Sequence, residues 1–483
     1  MIYRIFTILL ISQSLLAFNS FGQTVFYSDS SSVSSIQSKF EVFSGEKYHY
    51  LYTFKDKKPT LKIYDHRLRN KQEVILDFLE GNLLHSHFIF KQKHIYAFWL
   101  VEQQRSFSLR LAILNEDGLL ESYKSYDIND FSLADWRNTS LQIAESLDQR
   151  YLGYALANYR KEEVIFLKFD LENSQLGYLK SQLTEVKNQR RDQETLIFSK
   201  DAMFWFQIPL DTSWNVIEDA VNIYKWQHHH SEIQLSKFNN PSGFIGDQQV
   251  FYDWDADELA MVSLLGSKKG KPIEKVKVQY LNPAQASKNQ EIIVEDYIIK
   301  SIRSQHKKPD LYDFKIQNIS KTQDDGFFVG LQVEYILHKN YASSNMMGFS
   351  ISNITQRQVR EFYYGEYIGI QTHPLDSLNW QNIIRKSQLT QDDYGIFSSL
   401  ALLNSGNQMV VFFNDLHLKR NQIQIGVLQS NGEVIYGQIP RSKKRPLYYA
   451  VPELVEVVNP TTLLIPVVYE SDDMGLMRVQ FSD

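Results

Sequence analysis

The chain has 483 residues, 43% hydrophobic, 13% aromatic and 22% charged, with 21 Gly, 12 Pro, no Cys and a formal charge of -5. These proportions are those of an ordinary folded protein and exclude disordered, collagen-like and multi-span membrane chains. The missing cysteines exclude disulfide scaffolds, thiolate zinc sites, iron-sulfur clusters, thiol catalysis and cysteine lipidation, and 51 basic against 56 acidic residues give no general attraction to nucleic acid or anionic lipid.

The chain opens with one basic residue, Arg4, an apolar run from Ile5 to Phe18, and small residues Ser20 and Gly22 ahead of Gln23. This is the pattern of a secretory signal peptide over residues 1–22. The run of 14 residues is shorter than the roughly 20 that cross a bilayer. Cleavage after Gly22 leaves 461 residues with a charge of -6. No later stretch is apolar enough to span a membrane, so the expected product is exported and soluble, in the periplasm or outside the cell. A chain of that size buries enough apolar surface to fold without disulfides.

Residues 23–483 read as one domain built on a repeat. Aromatic strand-like runs recur at Tyr48–Phe54, Ile95–Val101, Tyr151–Leu156, Met203–Ile208, Val250–Trp254, Phe327–Val333, Met409–Phe413 and Leu463–Tyr469. Their starts are 47, 56, 52, 47, 77, 82 and 54 residues apart, a period that marks a repeat architecture. Partner runs follow at hairpin distance, among them Leu61–Tyr64, Leu109–Leu114, Val164–Phe169 and Ile423–Leu428. Asp117-Gly118 and Asn431-Gly432 supply turn chemistry before a fourth strand. Four antiparallel strands per module predict an all-β fold, a β-propeller of seven or eight blades, the number depending on how residues 250–300 divide. Only Trp214–Trp226 has the makings of a helical turn or two. The last module shows three strands, Pro452–Val458, Leu463–Tyr469 and Leu476–Phe481, while Thr24–Tyr27 stands alone near the start. These predict closure of the ring by the N-terminal strand.

Over about residues 312–482 the series Phe314–Ile319, Gln323–Phe328, Tyr364–Ile370, Trp380–Gln388, Phe397–Leu403, Phe413–Asp415 and Asn431-Gly432 resembles a group of secreted, propeller-like proteins of Bacteroidetes-type bacteria with no established activity. The resemblance implies export and fold and supplies no functional residue.

Chemistry is sparse. His228 and His230 fall on one face of an extended strand and fit a metal in part, but two ligands do not make a site and the turn reading prevails. Asp253–Glu258 begins like a calcium loop yet has Glu258 and Leu264 where Gly and Glu are required, so it reads as an acidic turn. Nucleophile-elbow, zinc-helix, phosphate-loop and dinucleotide motifs are absent. No catalytic residue, metal site or cofactor is indicated. The long interval between Val333 and Tyr364 reads as an aromatic-rich loop, and Tyr335, Tyr341, Tyr363 and Tyr364 are its candidate partner-binding residues. The favoured reading is a non-enzymatic propeller that binds a protein or glycan through its loop face, with no nucleic acid partner and no membrane span. Two others compete with it: a polysaccharide hydrolase or lyase using carboxylates at the channel, and a structural subunit of a cell-envelope assembly.

Overall fold

The structure is a computed structural model. It describes residues 23–27, 31–32, 40–55, 58–78, 81–103, 106–128, 139–183, 193–209, 220–254, 256–268, 270–282, 284, 288–302, 308–322, 326–344, 354–372, 378–391, 393, 396–405, 408–415, 422–439, 448–469 and 473–481. The signal peptide predicted over residues 1–22 lies outside them.

Eight antiparallel sheets follow one another along the chain. Blades 1 to 5 span residues 40–75, 82–128, 139–182, 193–239 and 244–293. Blades 6 to 8 span 314–391, 401–438 and 448–481. Within a blade the strands pair in chain order, and the fourth strand is the solvent-facing one, as the burial of Asn70–Ile75 and Gln234–Asn239 illustrates. The first strands of neighbouring blades adjoin around the central channel.

Each gap between adjacent blades holds one apolar cluster, eight clusters for eight gaps. The period of two in a strand makes this possible, because alternate side chains serve opposite gaps. In the second strand of blade 1, Tyr50 and Tyr52 pack toward blade 2 while Leu51 packs toward blade 8. The aromatic residues of the repeat are therefore mostly inter-blade packing: Phe43, Phe88, Tyr50 and Tyr52 stack in one gap with centroids 4.5–5.0 Å apart.

The predicted closure is present. Strand Gln23–Tyr27 pairs antiparallel with Asp473–Phe481, from Gln23↔Phe481 to Tyr27↔Met477, and becomes the outermost strand of blade 8. Val25 and Tyr27 join the blade 7–8 core.

Three sequence expectations change. Eight blades is one of the two expected numbers, but Val250–Asp253 belongs to the first strand of blade 5, Phe244–Asp253, instead of the second. The second strand is Glu258–Gly266, whose buried positions carry Ala, Met, Val and Leu and no aromatic residue. The last blade begins with Tyr448–Ala450, and Pro452–Leu454 forms a 3-10 turn before Glu456–Asn459 resumes the strand. The helical reading of Trp214–Trp226 fails over its second half, where Ala220–Gln227 is a strand; Tyr224 and Trp226 pack toward blade 3 while Val221 and Ile223 pack toward blade 5. Residues 214–219 lie outside the described residues. A single short helix, Asp296–Ser301, is seen among the described residues, between blades 5 and 6. None of their helices is long and apolar enough to cross a membrane.

Alternating strand direction gives the disc two unlike faces. Connections between first and second strands, and between third and fourth, leave on one face and are mostly tight turns, such as Gly45–Tyr48, Ser199–Ala202 and Gln429–Glu433. Connections between blades, and between second and third strands outside blades 1 and 2, leave on the other and are mostly longer. There the predicted loop of blade 6 is a β-ribbon: Phe327–Ser344 and Ile354–Thr372, strands of 18 and 19 residues, stay paired from Phe328↔Gln371 to Ser344↔Ile354. The paired aromatic and β-branched side chains on both arms favour this ladder over a loop.

Candidate functional site at the channel and ribbon

The first strands present an unpaired edge to their neighbours, and polar side chains cap it. Glu41 Oε1 accepts from Phe88 N (2.9 Å), Asp247 Oδ2 accepts from Ile316 N (2.8 Å), and Gln249 Nε2 donates to Ile316 O (2.6 Å). Asn414 accepts from Ala450 N and donates to Ala450 O. These contacts join consecutive blades and satisfy backbone groups that would otherwise be lost in the interior. They also bring ionisable groups to the channel, in two clusters.

One cluster lies toward the tight-turn face, each member a few residues from the first turn of its blade. His87 of blade 2 stands between Glu145 of blade 3, 2.7 Å from Nε2, and Glu41 of blade 1, 3.4 Å from Nδ1. Glu456 of blade 8 is within electrostatic reach of Glu41 and Glu145. Burial raises Glu41 from 4.5 to about 7, although His87 and the Phe88 N–H pull it down. Burial, aided by repulsion from Glu145 and Glu41, raises Glu456 to about 7. Burial alone would depress His87, but its hydrogen bond to Glu145 and the charges of Glu41 and Glu145 outweigh this and raise it. The cluster can hold and exchange protons near neutral pH.

The other cluster lies at the root of the ribbon. Lys386, 5% exposed, directs Nζ to Gln388 Oε1 (2.5 Å) and Ser398 O (3.3 Å) and sits 5.7 Å from the Tyr364 ring centroid. Desolvation lowers its amine from 10.5 to about 7 against the opposing pull of Glu334 and Glu366. Desolvation likewise raises Glu334 to about 7, with Lys315 and Lys386 opposing it and Asp247 and Glu453 adding to it. Lys315 Nζ stands 4.0 Å from Asp247. Burial raises the Tyr364 phenol, which faces Glu334 and Glu453.

The four tyrosines named from the sequence part company. Tyr335 and Tyr363 face each other across the ribbon, stacked at 4.5 Å, and are buried in the blade 5–6 core; their rings are packing, not contact surface. Tyr364, the next residue, points to the opposite face with Glu334 and is half-buried. Tyr341 pairs with Arg357 in the ribbon ladder, and its side chain lies outside the described residues. Exposed positions on the face shared with Glu334 and Tyr364 are Ile336, His338 and Arg360.

His228 is not simply solvated. Its ring stacks on Tyr151 at 4.2 Å, and desolvation together with Lys168 lowers its pKa to about 4. Asp253 is a hairpin residue, accepting from Ala256 N, Tyr280 OH and Lys321 Nζ. Among the described residues no group of three or more His, Asp or Glu is placed to hold a metal ion. Sequence reasoning missed both channel clusters. A usable signal existed in charged residues that interrupt apolar first strands, as His87 does in Leu83–Phe90 and Glu456 in Leu454–Val458.

No family model matches the chain, and no curated protein matches it in sequence. Solved structures resemble it distantly. The WD40 domain of SCAP from fission yeast matches with a TM-score of 0.46 at 11% identity, covering 96% of this chain and 98% of that one. The polysaccharide lyase Uly1 matches with 0.39 at 8%, covering 85% and 94%. A prolyl endopeptidase matches with 0.40 at 10%, covering 95% of this chain and 58% of that one. Likeness this distant carries no argument about chemistry.

Proposed function

We propose that this is an exported, non-enzymatic β-propeller, periplasmic or extracellular, that binds a protein or glycan through the face bearing the ribbon. The observation that carries the reading is the paired 18- and 19-residue strands of blade 6, far longer than the 7- and 8-residue second and third strands of blades 1 and 3. A ribbon rooted in a packed core by Tyr335 and Tyr363 holds a recognition element in one orientation, which lowers the ordering cost of binding. Ile336, His338 and Arg360 offer apolar and cationic contacts on one of its faces.

The test replaces residues 341–357 by an Asn-Gly turn between Asn340 and Gln358, which are paired in the ladder. A ligand found on a glycan array, or by crosslinking to envelope proteins of the native host, should be lost by this variant while its thermal unfolding stays at the wild-type temperature. Undiminished binding by the shortened ribbon would sink the reading.

A second reading, polysaccharide cleavage, draws support from Glu41 and Glu145 flanking His87, with Glu456 within electrostatic reach of both carboxyls. Two groups titrating near neutrality beside a carboxylate suit proton transfer to and from a glycosidic oxygen. Release of reducing ends by the wild type and not by Glu145→Gln would establish it in place of the first.

A further inference from the structure

The tight-turn face carries a shallow, open cleft between blades 6 and 7, remote from the ribbon. Its floor is aromatic, formed by Phe328 and Trp380, and its rim carries Ser320, Gln371, Asn404 and Gln408. The indole is fixed in place: Nε1 donates to Ser430 O (2.9 Å), and the ring lies over Gly432, where a Cβ would come within 2.7 Å of Trp380 Cγ. Gly369 allows a second close approach, its missing Cβ leaving 3.2 Å to Trp380 Cζ3. Gly432 is also the positive-φ residue of the Asn431-Gly432 turn, at φ 82°, so one glycine serves the turn and the ring together.

We propose that this cleft binds a neutral sugar unit of an oligosaccharide, stacked on Trp380. Three features select that class. A rigid aromatic ring offers a surface for the C–H face of a pyranose, with none of the ordering cost of a mobile side chain. Side-chain amides of Gln371, Asn404 and Gln408 each carry donors and an acceptor, which matches hydroxyl groups that are both donor and acceptor; an apolar ligand would leave these groups unpaired. The one cation at the rim, Lys321, already faces Asp253 at 3.3 Å, so the cleft presents no spare charge for a phosphate or uronate. The site is independent of the ribbon-face reading, since no residue is shared.

Isothermal titration of the full-length mature protein with cellopentaose, laminaripentaose, xylopentaose and mannopentaose tests the assignment. At least one should bind saturably, and Trp380→Ala should weaken it by about tenfold or more. Because the indole also covers Gly432, the double variant Asn404→Ala, Gln408→Ala provides a change at exposed positions; it should weaken the same sugar while leaving thermal unfolding unaltered. Absence of saturable binding to all four neutral probes overturns the proposal. So does binding that survives both variants. Loss of binding in the ribbon-shortened protein, with the cleft intact, would assign the sugar to the other face and overturn it as well.

Discussion

At the tight-turn mouth of the channel, Glu41 and Glu145 flank a single histidine, with Glu456 within electrostatic reach of both carboxyls; at the ribbon mouth, Asp247 and Glu334 share their surroundings with Lys315 and Lys386. The first cluster is built from first strands, the second from several strands of blade 6 with Asp247 of blade 5, and both contain carboxyls raised to about 7 by burial. Their cations differ in kind. His87 is raised by its carboxylate neighbours, so the pair favours the charged imidazolium. Lys386 is lowered to about 7, because desolvation exceeds the attraction of Glu334 and Glu366. His87 has a carboxylate at 2.7 Å, whereas Lys386 directs its Nζ to the uncharged oxygens of Gln388 and Ser398, so attraction outweighs desolvation only at the histidine.

The cations of the two clusters consequently bend stability in different pH windows, while Glu334 shares the window of Glu41 and Glu456. Glu41 and Glu456 hold protons in the folded state between 4.5 and about 7 that the unfolded state has released, so their contribution is greatest at low pH and is lost as pH rises through 7. His87, raised on folding, has the same sign: its contribution is present below 6.5 and lost as pH climbs through its folded value. Lys386 has the reverse sign between about 7 and 10.5, where the unfolded state binds the additional proton and stability rises with pH.

Opening blade 8, which supplies Glu456 to one cluster and Glu453 to the other, disturbs both mouths at once. Deleting residues 23–27 removes its outermost strand and the Val25 and Tyr27 contacts. A loss on the order of 5 kcal/mol is expected, read from denaturant unfolding; an unchanged midpoint would show that the ring closes without this strand. A smaller effect isolates the ribbon mouth. Lys386→Met should abolish about 2–4 kcal/mol of the stability that the wild type gains between pH 7 and pH 10, measured as the difference between urea unfolding free energies at the two values. Parallel pH dependences in both proteins would contradict the lowered amine. The smallest change concerns the other mouth. Glu41→Gln keeps an acceptor for the Phe88 N–H and removes the buried charge, so the variant should gain about 1–3 kcal/mol relative to wild type on moving from pH 5 to pH 8. An equal difference at both pH values would place Glu41 in water.

Architecture was readable to the extent that aromatic second strands mark blades. Seven of the eight aromatic runs are second strands, and Thr24–Tyr27 meets the last strand as the alternation implied. Blade 5 was misread because its aromatic residues sit on the first strand, after a register shift between Ile245 and Gln248, while its second strand is aliphatic. The ribbon was misread because a long interval between blade strands has the same length whether it loops or pairs with itself; only the partnership of Tyr335 with Tyr363 distinguishes them. Single members of the channel clusters could be suspected from polar residues within apolar first strands, but not their meeting. His87 and Glu145 are 58 positions apart, and Glu41 and Glu456 stand near opposite ends of the chain. No spacing rule links residues that meet only because eight sheets return to a common axis.

The closing pair joins Gln23 to Phe481, near the two ends of the chain. An amino-terminal fragment that stops before Asp473–Phe481 therefore lacks the partner of the closing strand. At a synthesis rate of about 5–20 residues per second, the Val25-Phe26-Tyr27 segment waits roughly 20 to 90 s for its partner. Throughout that interval it is an unpaired apolar strand of the kind that pairs with other chains.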